Sequence, residues 1–333
     1  MKEKVIIIGA GPCGMSAALE LKDRGIDPLI IEKGNVVNAI YHYPTHQTFF
    51  SSSEKLEIGN IPFISEKQKP VRNEALTYYR EVAHRKNLRI NAYERVEKIS
   101  AVGQKYKLQT VKENGEKKVY IATYVIIATG YYDQPNYLGI PGEDLPKVSH
   151  YFKEAHPYFK KNIVVIGGKN SAVDATLELV KAGAHVTVLY RGSDYSTSVK
   201  PWILPLFVSL VNKGVVRMEF NAHITKITEN NVYFRKEGVE HVLDNDFVFA
   251  MTGYHPDHDF LKGIQIEIEN ETGRPMFNEN TMESNIDNVY IAGVIAAGYN
   301  NNEIFIENGR FHGEKIAESI VEKETRNVGE GNE

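Results

Sequence analysis

The run Val5-Ile6-Ile7-Ile8-Gly9-Ala10-Gly11-Pro12-Cys13-Gly14-Met15-Ser16-Ala17-Ala18-Leu19-Glu20-Leu21 constrains this chain more than any other stretch. An apolar strand, a glycine-rich turn and an apolar-faced helix follow one another there, and Glu32 stands at the end of the next apolar segment. That order reads as a dinucleotide-binding βαβ unit. Gly9 permits the tight turn, Gly11 lets the backbone approach a pyrophosphate, and Gly14 lets the helix pack closely on the strand. The helix N-terminus would face the phosphates with unpaired N–H groups and a positive dipole end. Glu32 is placed to accept from two ribose hydroxyls, and Pro12 and Lys33 flank these contacts as further candidate cofactor-binding residues.

A chain of 333 residues is long enough for two domains with separate cores. Its 39 Lys and Arg against 43 Asp and Glu leave a formal net charge of −4, with no basic block. Nucleic acid and anionic membrane are therefore not expected partners. Met1-Lys2-Glu3-Lys4 runs straight into the first strand, and no apolar run approaches the roughly 20 residues of a membrane span. The expected location is the cytoplasm. Cys13 is the one cysteine, which excludes an internal disulfide, a Cys-x-x-Cys redox pair and a cysteine-rich metal site; no metal ligands are expected.

Along the chain, Asn35 to Ser53 reads as a loop rich in Tyr, His, Thr and Ser, long enough to suggest a functional role. Arg72 to Lys86 has helical apolar spacing, and three strands follow at Arg95–Ala101, Tyr106–Val111 and Val119–Ala128, ending in Thr129-Gly130. A second unit begins at Asn162-Ile163-Val164-Val165-Ile166-Gly167-Gly168-Lys169-Asn170-Ser171-Ala172 and repeats the order of parts: strand, glycine turn, helix, strand ending at Arg191, strand group, then Thr252-Gly253-Tyr254. Such repetition predicts two related nucleotide-binding domains. The expected fold class is α/β, with two Rossmann-like three-layer domains. Residues 1–140 and 257–323 would form the first, residues 141–256 the second, and residues 324–333 a disordered tail. The strand near Tyr290 and the helix from Ile304 to Val321 are expected to return to the first domain.

At the end of the second unit's second strand an acid would favour NAD, by accepting from both ribose hydroxyls and repelling a 2′-phosphate. Arg191 stands there instead, with Ser193 close by, and a guanidinium pairs bidentately with phosphate, so the expected nucleotide is NADPH. Gly167, Gly168, Lys169, Asn170 and Ser171 form the matching anion turn, with Lys169 in the place of the middle glycine.

Taken together, these motifs resemble the two-dinucleotide-binding-domain flavoproteins of the thioredoxin reductase type over roughly Lys4 to Glu322. The resemblance implies FAD in the first unit and NADPH in the second, within a thioredoxin-reductase-like architecture. It carries Gly9, Gly11, Cys13 and Gly14 to the FAD pyrophosphate turn and Glu32 to the adenosine ribose. Gln47 and Thr48 would lie beside the flavin, Val96 near the adenine, Thr129 and Gly130 at the domain crossover, and Gly293 and Ile304 near the ribityl chain and the pyrimidine end. Two departures stand out. No cysteine pair precedes the second glycine motif, where the chain reads Ser149-His150-Tyr151-Phe152, so dithiol chemistry of the thioredoxin reductase kind is excluded. The family's Gly-Asp pair in the last strand is Gly293-Val294, which removes one polar contact to the ribityl or phosphate groups.

Thr48-Phe49-Phe50-Ser51-Ser52-Ser53, Tyr190-Arg191-Gly192-Ser193, Lys200-Pro201-Trp202-Ile203-Leu204-Pro205 and Ala292-Gly293-Val294-Ile295-Ala296-Ala297-Gly298 resemble, more narrowly, the bacillithiol disulfide reductases of low-GC Gram-positive bacteria. That implies an NADPH-dependent flavoenzyme acting on a small-molecule disulfide, bacillithiol disulfide, as a homo-oligomer. Cys13 is either a filler at the turn or, favoured as thiolate by the helix N-terminus, a catalytic nucleophile. His42, His46, His150, His156 and His255 are candidate proton donors without an assigned role. The apolar run Trp202 to Val211 reads as a buried helix, a substrate entrance or a subunit contact. A flavin monooxygenase, a ferredoxin or flavodoxin reductase and a non-catalytic nucleotide sensor are the alternatives.

Overall fold

A computed structural model describes residues 1–330. The chain divides into two compact units, Met1–Gln134 together with the segment from Tyr254 onward, and Pro135–Gly253. Both breaks fall earlier than the sequence suggested. The reason is local to the second unit: the Asn136 amide donates to the Gly253 carbonyl at 2.9 Å, the Asn136 side chain donates to the Thr252 carbonyl at 3.2 Å, and the Thr252 hydroxyl donates to the Asn136 carbonyl at 2.5 Å. These bonds tie the entering and leaving chain together inside that unit.

The first unit opens with β1 (Lys2–Ile8), α1 (Pro12–Asp23) and β2 (Leu29–Ile31). Val5, Ile6 and Ile7 are fully buried, which explains an unbroken apolar run where a half-solvated strand would alternate. The loop after β2 holds a short helix, α2 (Asn38–His42), pinned by α3 (Arg72–Arg85): the Arg72 guanidinium donates to the carbonyls of Ile40, at 3.2 Å, and Tyr41. Then come β3 (Arg89–Asn91) and the meander β4 (Glu94–Val102), β5 (Lys105–Lys112) and β6 (Lys117–Ile127). β6 serves two pairings. Its first half runs antiparallel to β5, and its second half lies parallel to β1 in register Val5↔Tyr124 to Ile8↔Ile127.

The second unit comprises β7 (Val148–Ser149), β8 (Asn162–Ile166), α4 (Asn170–Lys181), β9 (His185–Leu189), α5 (Leu204–Asn212), β10 (Val216–Glu219), the meander β11 (His223–Ile227), β12 (Asn231–Lys236), β13 (Val239–Asp244), and β14 (Phe247–Ala250). Its parallel sheet has the order β10-β9-β8-β14-β7, and the meander forms a separate antiparallel sheet.

The chain re-enters the first unit through α6 (His258–Gly263), β15 (Val289–Ile291), α7 (Ile306–Gly309) and α8 (His312–Glu330). β15 pairs parallel with the second half of β6, which gives the parallel order β3-β2-β1-β6-β15. The two parallel sheets thus repeat one order, as the sequence repeat predicts. Their fifth strands come from different places: the carboxyl-terminal part of the chain supplies β15, whereas β7 precedes the rest of its own sheet.

The expected disordered tail is corrected. α8 continues through residues 324–330 because its Glu324 carboxylate accepts from the Lys4 ammonium and, at 2.9 Å, from the Tyr124 hydroxyl. Residues 331–333 lie outside the described residues.

The close seat of α1 depends on Gly14. A Cβ there would stand 2.1 Å from the Gly9 carbonyl oxygen and 3.2 Å from the Ala128 side chain. Gly14→Ala should therefore lower stability by about 1–3 kcal/mol, as overpacking against fixed backbone does. A thermal melt of the variant checks this, and an unchanged midpoint would contradict it.

Candidate functional site

The first cradle is the turn between β1 and α1. Gly9 holds φ +110°, and a Cβ at that position would lie 2.4 Å from the Ala128 carbonyl oxygen, so only glycine fits. Around Gly11 no atom lies within 4 Å of where a Cβ would be, so the backbone is open on that side. Pro12 fills the first helical position, where a missing N–H costs nothing. The remaining first-turn amides have no intrahelical acceptor and form an anion-binding end.

Glu32 is 7% exposed, and its carboxylate accepts from the Ala10 amide and the Gly34 amide, each at 2.8 Å. Burial raises its pKa, and these two amide bonds together with the Lys33 charge pull it back. An ionised carboxylate offers about four lone-pair positions, so two remain for ribose hydroxyls. A cradle of open backbone, helix N-terminus and buried carboxylate fits the diphosphate and ribose of FAD.

The other expected contacts of this unit are distributed unevenly. The Lys33 ammonium pairs with Asp133 at 2.9 Å, with both side chains partly exposed. The Gln47 side chain donates to the Thr48 carbonyl at 2.8 Å, and exposed Thr48 bridges Val71 through its backbone. Val96 and Ile304 are buried, while Thr129 and Gly130 are half-buried just before the chain leaves this unit.

Four tyrosines gather nearby. The Tyr132 ring lies 5.2 Å from that of Tyr43 and 4.7 Å from that of Tyr254. Burial pushes Tyr131 and Tyr254 up to about 12 and Tyr43 higher still, so all three stay neutral hydrogen-bonding groups at physiological pH.

Cys13 is buried where α1 meets the last strand. A Cβ on Gly293 would lie 3.0 Å from its sulfur, and one on Gly309 would also lie 3.0 Å from it. Burial pushes the thiol up to about 12. Burial away from water is the cause, and it favours the neutral thiol in this arrangement. Sequence reasoning missed His312. Its Nδ1 accepts from the Gly293 amide at 3.1 Å, and burial, with a smaller contribution from the Lys315 charge, pushes its imidazole down to about 4. No motif marked it, since a histidine at a helix start has no distinctive spacing.

In the second unit Gly167 repeats the geometry of Gly9: its Cβ would lie 2.5 Å from the Met251 carbonyl oxygen. Gly168 and Gly192 each give way to the ring of Tyr190, which a Cβ on either would meet at 2.4 Å. The Asn170 side chain donates to the Ser198 carbonyl and accepts from the Lys200 amide, both at 2.9 Å, fastening the following loop to the first turn of α4. Lys169, Ser171, Arg191 and Ser193 are exposed around the α4 N-terminus. Lys169 and Arg191 have no protein partner among the described residues, which leaves two cations free for phosphate. The apolar run at α5 is only half covered: Phe207 is buried, while Trp202 and Leu206 are exposed. Among the described residues no helix is long and apolar enough to cross a membrane, and no cluster of three His, Cys, Asp or Glu could hold a metal.

Residues 6–293 match the family model described as pyridine nucleotide-disulphide oxidoreductase. Over 325 residues the chain is 66% identical to the bacilliredoxin reductase Bdr of Bacillus subtilis (strain 168), covering 97% of this chain and 99% of that protein. Among solved structures it is similar to the bacillithiol disulfide reductase Bdr from Bacillus cereus, with TM-score 0.96, 62% identity, and coverage of 97% of this chain and 100% of that one. The enzyme of the same name from Staphylococcus aureus gives TM-score 0.93 and 59% identity, over 97% and 99%.

A thiol held near a pKa of 12 reacts slowly with iodoacetamide at pH 8. Alkylation of Cys13 in the folded protein should run at least about tenfold slower than in urea-unfolded chain. Mass spectrometry of timed samples measures both rates, and equal rates would show the sulfur to be accessible.

Proposed function

Given that the chain belongs to the pyridine nucleotide-disulphide oxidoreductase family, we propose that it uses NADPH to reduce a low-molecular-weight disulfide, namely bacillithiol disulfide. It is a flavin-dependent enzyme whose cofactors are FAD and NADPH. One observation carries the reading: two complete dinucleotide cradles stand in a chain whose single cysteine rules out an internal dithiol. With no second cysteine to pair with Cys13, the disulfide that is reduced would belong to an external acceptor. The overall reaction takes one NADPH, one proton and one disulfide to NADP⁺ and two thiols.

Bound FAD supplies the two-electron relay; the chain supplies position and charge. The Gly9–Gly14 turn and Glu32 hold the diphosphate and ribose of FAD, and the Gly167–Ser171 turn with Lys169 holds those of NADPH. Arg191 and Ser193 take the 2′-phosphate. The neutral tyrosines Tyr43, Tyr131 and Tyr254 wall the first unit's site with groups that donate hydrogen bonds without carrying charge. Cytoplasmic location belongs to this reading, because thiols are kept reduced there, as does assembly into a homo-oligomer.

The test follows NADPH oxidation at 340 nm with bacillithiol disulfide as the acceptor. The disulfide alone should sustain turnover. The name of the Bacillus subtilis relative favours a second reading, in which the acceptor is a bacilliredoxin. Turnover that appears only when a bacilliredoxin is added would move the substrate from the small disulfide to that protein.

Arg191→Ala should lower the NADPH over NADH preference in kcat/KM by about tenfold or more, since a charge-assisted pair is worth roughly 1.5–3 kcal/mol. Unchanged kinetics with both nucleotides would remove Arg191 from the site.

Cys13 stays in the proposal as the attacking thiol, under a condition set by its burial: the turns at Gly293 and Gly309 must part before sulfur reaches a substrate. Its attack would form a mixed disulfide and release one thiol, and two electrons from the reduced enzyme would release the second. Cys13→Ala should then take up FAD and accept hydride like the native protein but lose disulfide turnover by about a hundredfold or more. Turnover at the native rate would make Cys13 a packing residue and route electrons directly to the disulfide.

A further inference from the structure

Behind the first cradle, three backbone turns and one sulfur form a packed block. Gly293 follows β15 with φ +79°, and a Cβ there would stand 2.8 Å from the Cys13 Cβ. Gly309 closes the other side, its Cβ position lying 3.3 Å from the Gly293 Cα. α8 starts just afterwards, and its first turn and Arg310 shortly before it are held against α1. A Cβ on Gly313 would stand 2.7 Å from the Ala17 Cα, and the Ser16 hydroxyl donates to the Arg310 carbonyl at 2.7 Å.

Within this block the Gly293 amide points at one polar side chain, His312, whose Nδ1 accepts it at 3.1 Å. The next residue is Val294, an apolar side chain that adds no polar group beside this amide. Burial holds the imidazole neutral at physiological pH. Its Nδ1 lone pair is therefore available and the hydrogen sits on Nε2, which has no protein partner among the described residues.

We propose that His312 is a positioning residue for FAD: by accepting the Gly293 amide it fixes the Gly293–Cys13 contact against which the Gly9–Gly14 turn is seated. An amide left buried and unpaired would favour a different backbone conformation at residue 293. That movement would reach Cys13 directly, because no side chain stands between them to absorb it. From the start of α8, His312 thus supports the diphosphate turn from behind.

The proposal rests on FAD binding in the first unit and is tested without turnover. Apo-protein is prepared for native chain, His312→Leu, His312→Asn and His312→Gln, and each is titrated with FAD by flavin fluorescence, with the visible spectrum of the complex recorded. Asparagine Oδ1 can take the place of Nδ1, whereas glutamine reaches as Nε2 does, and leucine accepts nothing. FAD affinity should fall by about tenfold in His312→Leu and His312→Gln and return to within about threefold of native in His312→Asn. Should the leucine variant not fold, the asparagine and glutamine variants still decide, by their order. Equal FAD affinity in all four proteins, or asparagine no better than glutamine, would overturn the role. Native protein that takes up no FAD would instead defeat the assignment of FAD to this unit.

Discussion

The approach of α1 to the strand before it is the constraint on which the rest of the first unit depends. A Cβ on Gly14 would stand 2.1 Å from the Gly9 carbonyl oxygen and one on Gly9 2.4 Å from the Ala128 carbonyl oxygen just past β6, so three elements meet on bare backbone. Such contact seats the start of α1 at the end of the strand, where its first-turn amides, having no intrahelical acceptor, can serve an anion. Glu32 then reads as part of the same construction, because one of its oxygens accepts from Ala10 in the turn itself. The carboxylate that would receive a ribose also fastens the loop that would receive the diphosphate.

The second unit repeats that device with a different filling. Gly167 abuts the end of β14 as Gly9 abuts the end of β6, but Tyr190 lies flat against Gly168 and Gly192 and fixes the course of the chain on both sides of Arg191. Lys169 stands where a glycine would give the closest backbone approach, so an ammonium supplies part of what the amides supply in the first unit. The cations at this turn are exposed and unpaired, as a nucleotide carrying an additional phosphate requires.

Charge is distributed in opposite ways in the two units. In the first unit desolvation favours the neutral form of the Cys13 thiol, the phenols of Tyr43, Tyr131 and Tyr254, and the His312 imidazole. A neutral, weakly hydrated wall suits a cofactor ring whose chemistry moves electrons, because a fixed charge beside it would bias the two redox states. At the second turn the ionised groups remain in water, where their interaction with a phosphate depends on salt.

The sequence by itself determined the parts and their order: two glycine turns, each between an apolar strand and a helix, Glu32 and Arg191 at the ends of the following strands, and a meander after each. Those features obey local rules, since a strand buried on both faces must be apolar and a tight turn against backbone must be glycine. Everything that depended on contact between distant segments was decided by the tertiary structure. The burial of Cys13 between the turns at Gly293 and Gly309 could not be read from its place at a helix N-terminus, and that burial raises its thiol pKa. The partners of Lys33 and Asn170, namely Asp133 for the first and Ser198 and Lys200 for the second, likewise appeared only with the fold. The tail became a helix because Glu324 met Lys4 and Tyr124, residues some two hundred to three hundred positions away, and sequence periodicity carries no information about partners at that separation. His312 had no signal at all, since its role exists only in the bond to Gly293 that folding creates.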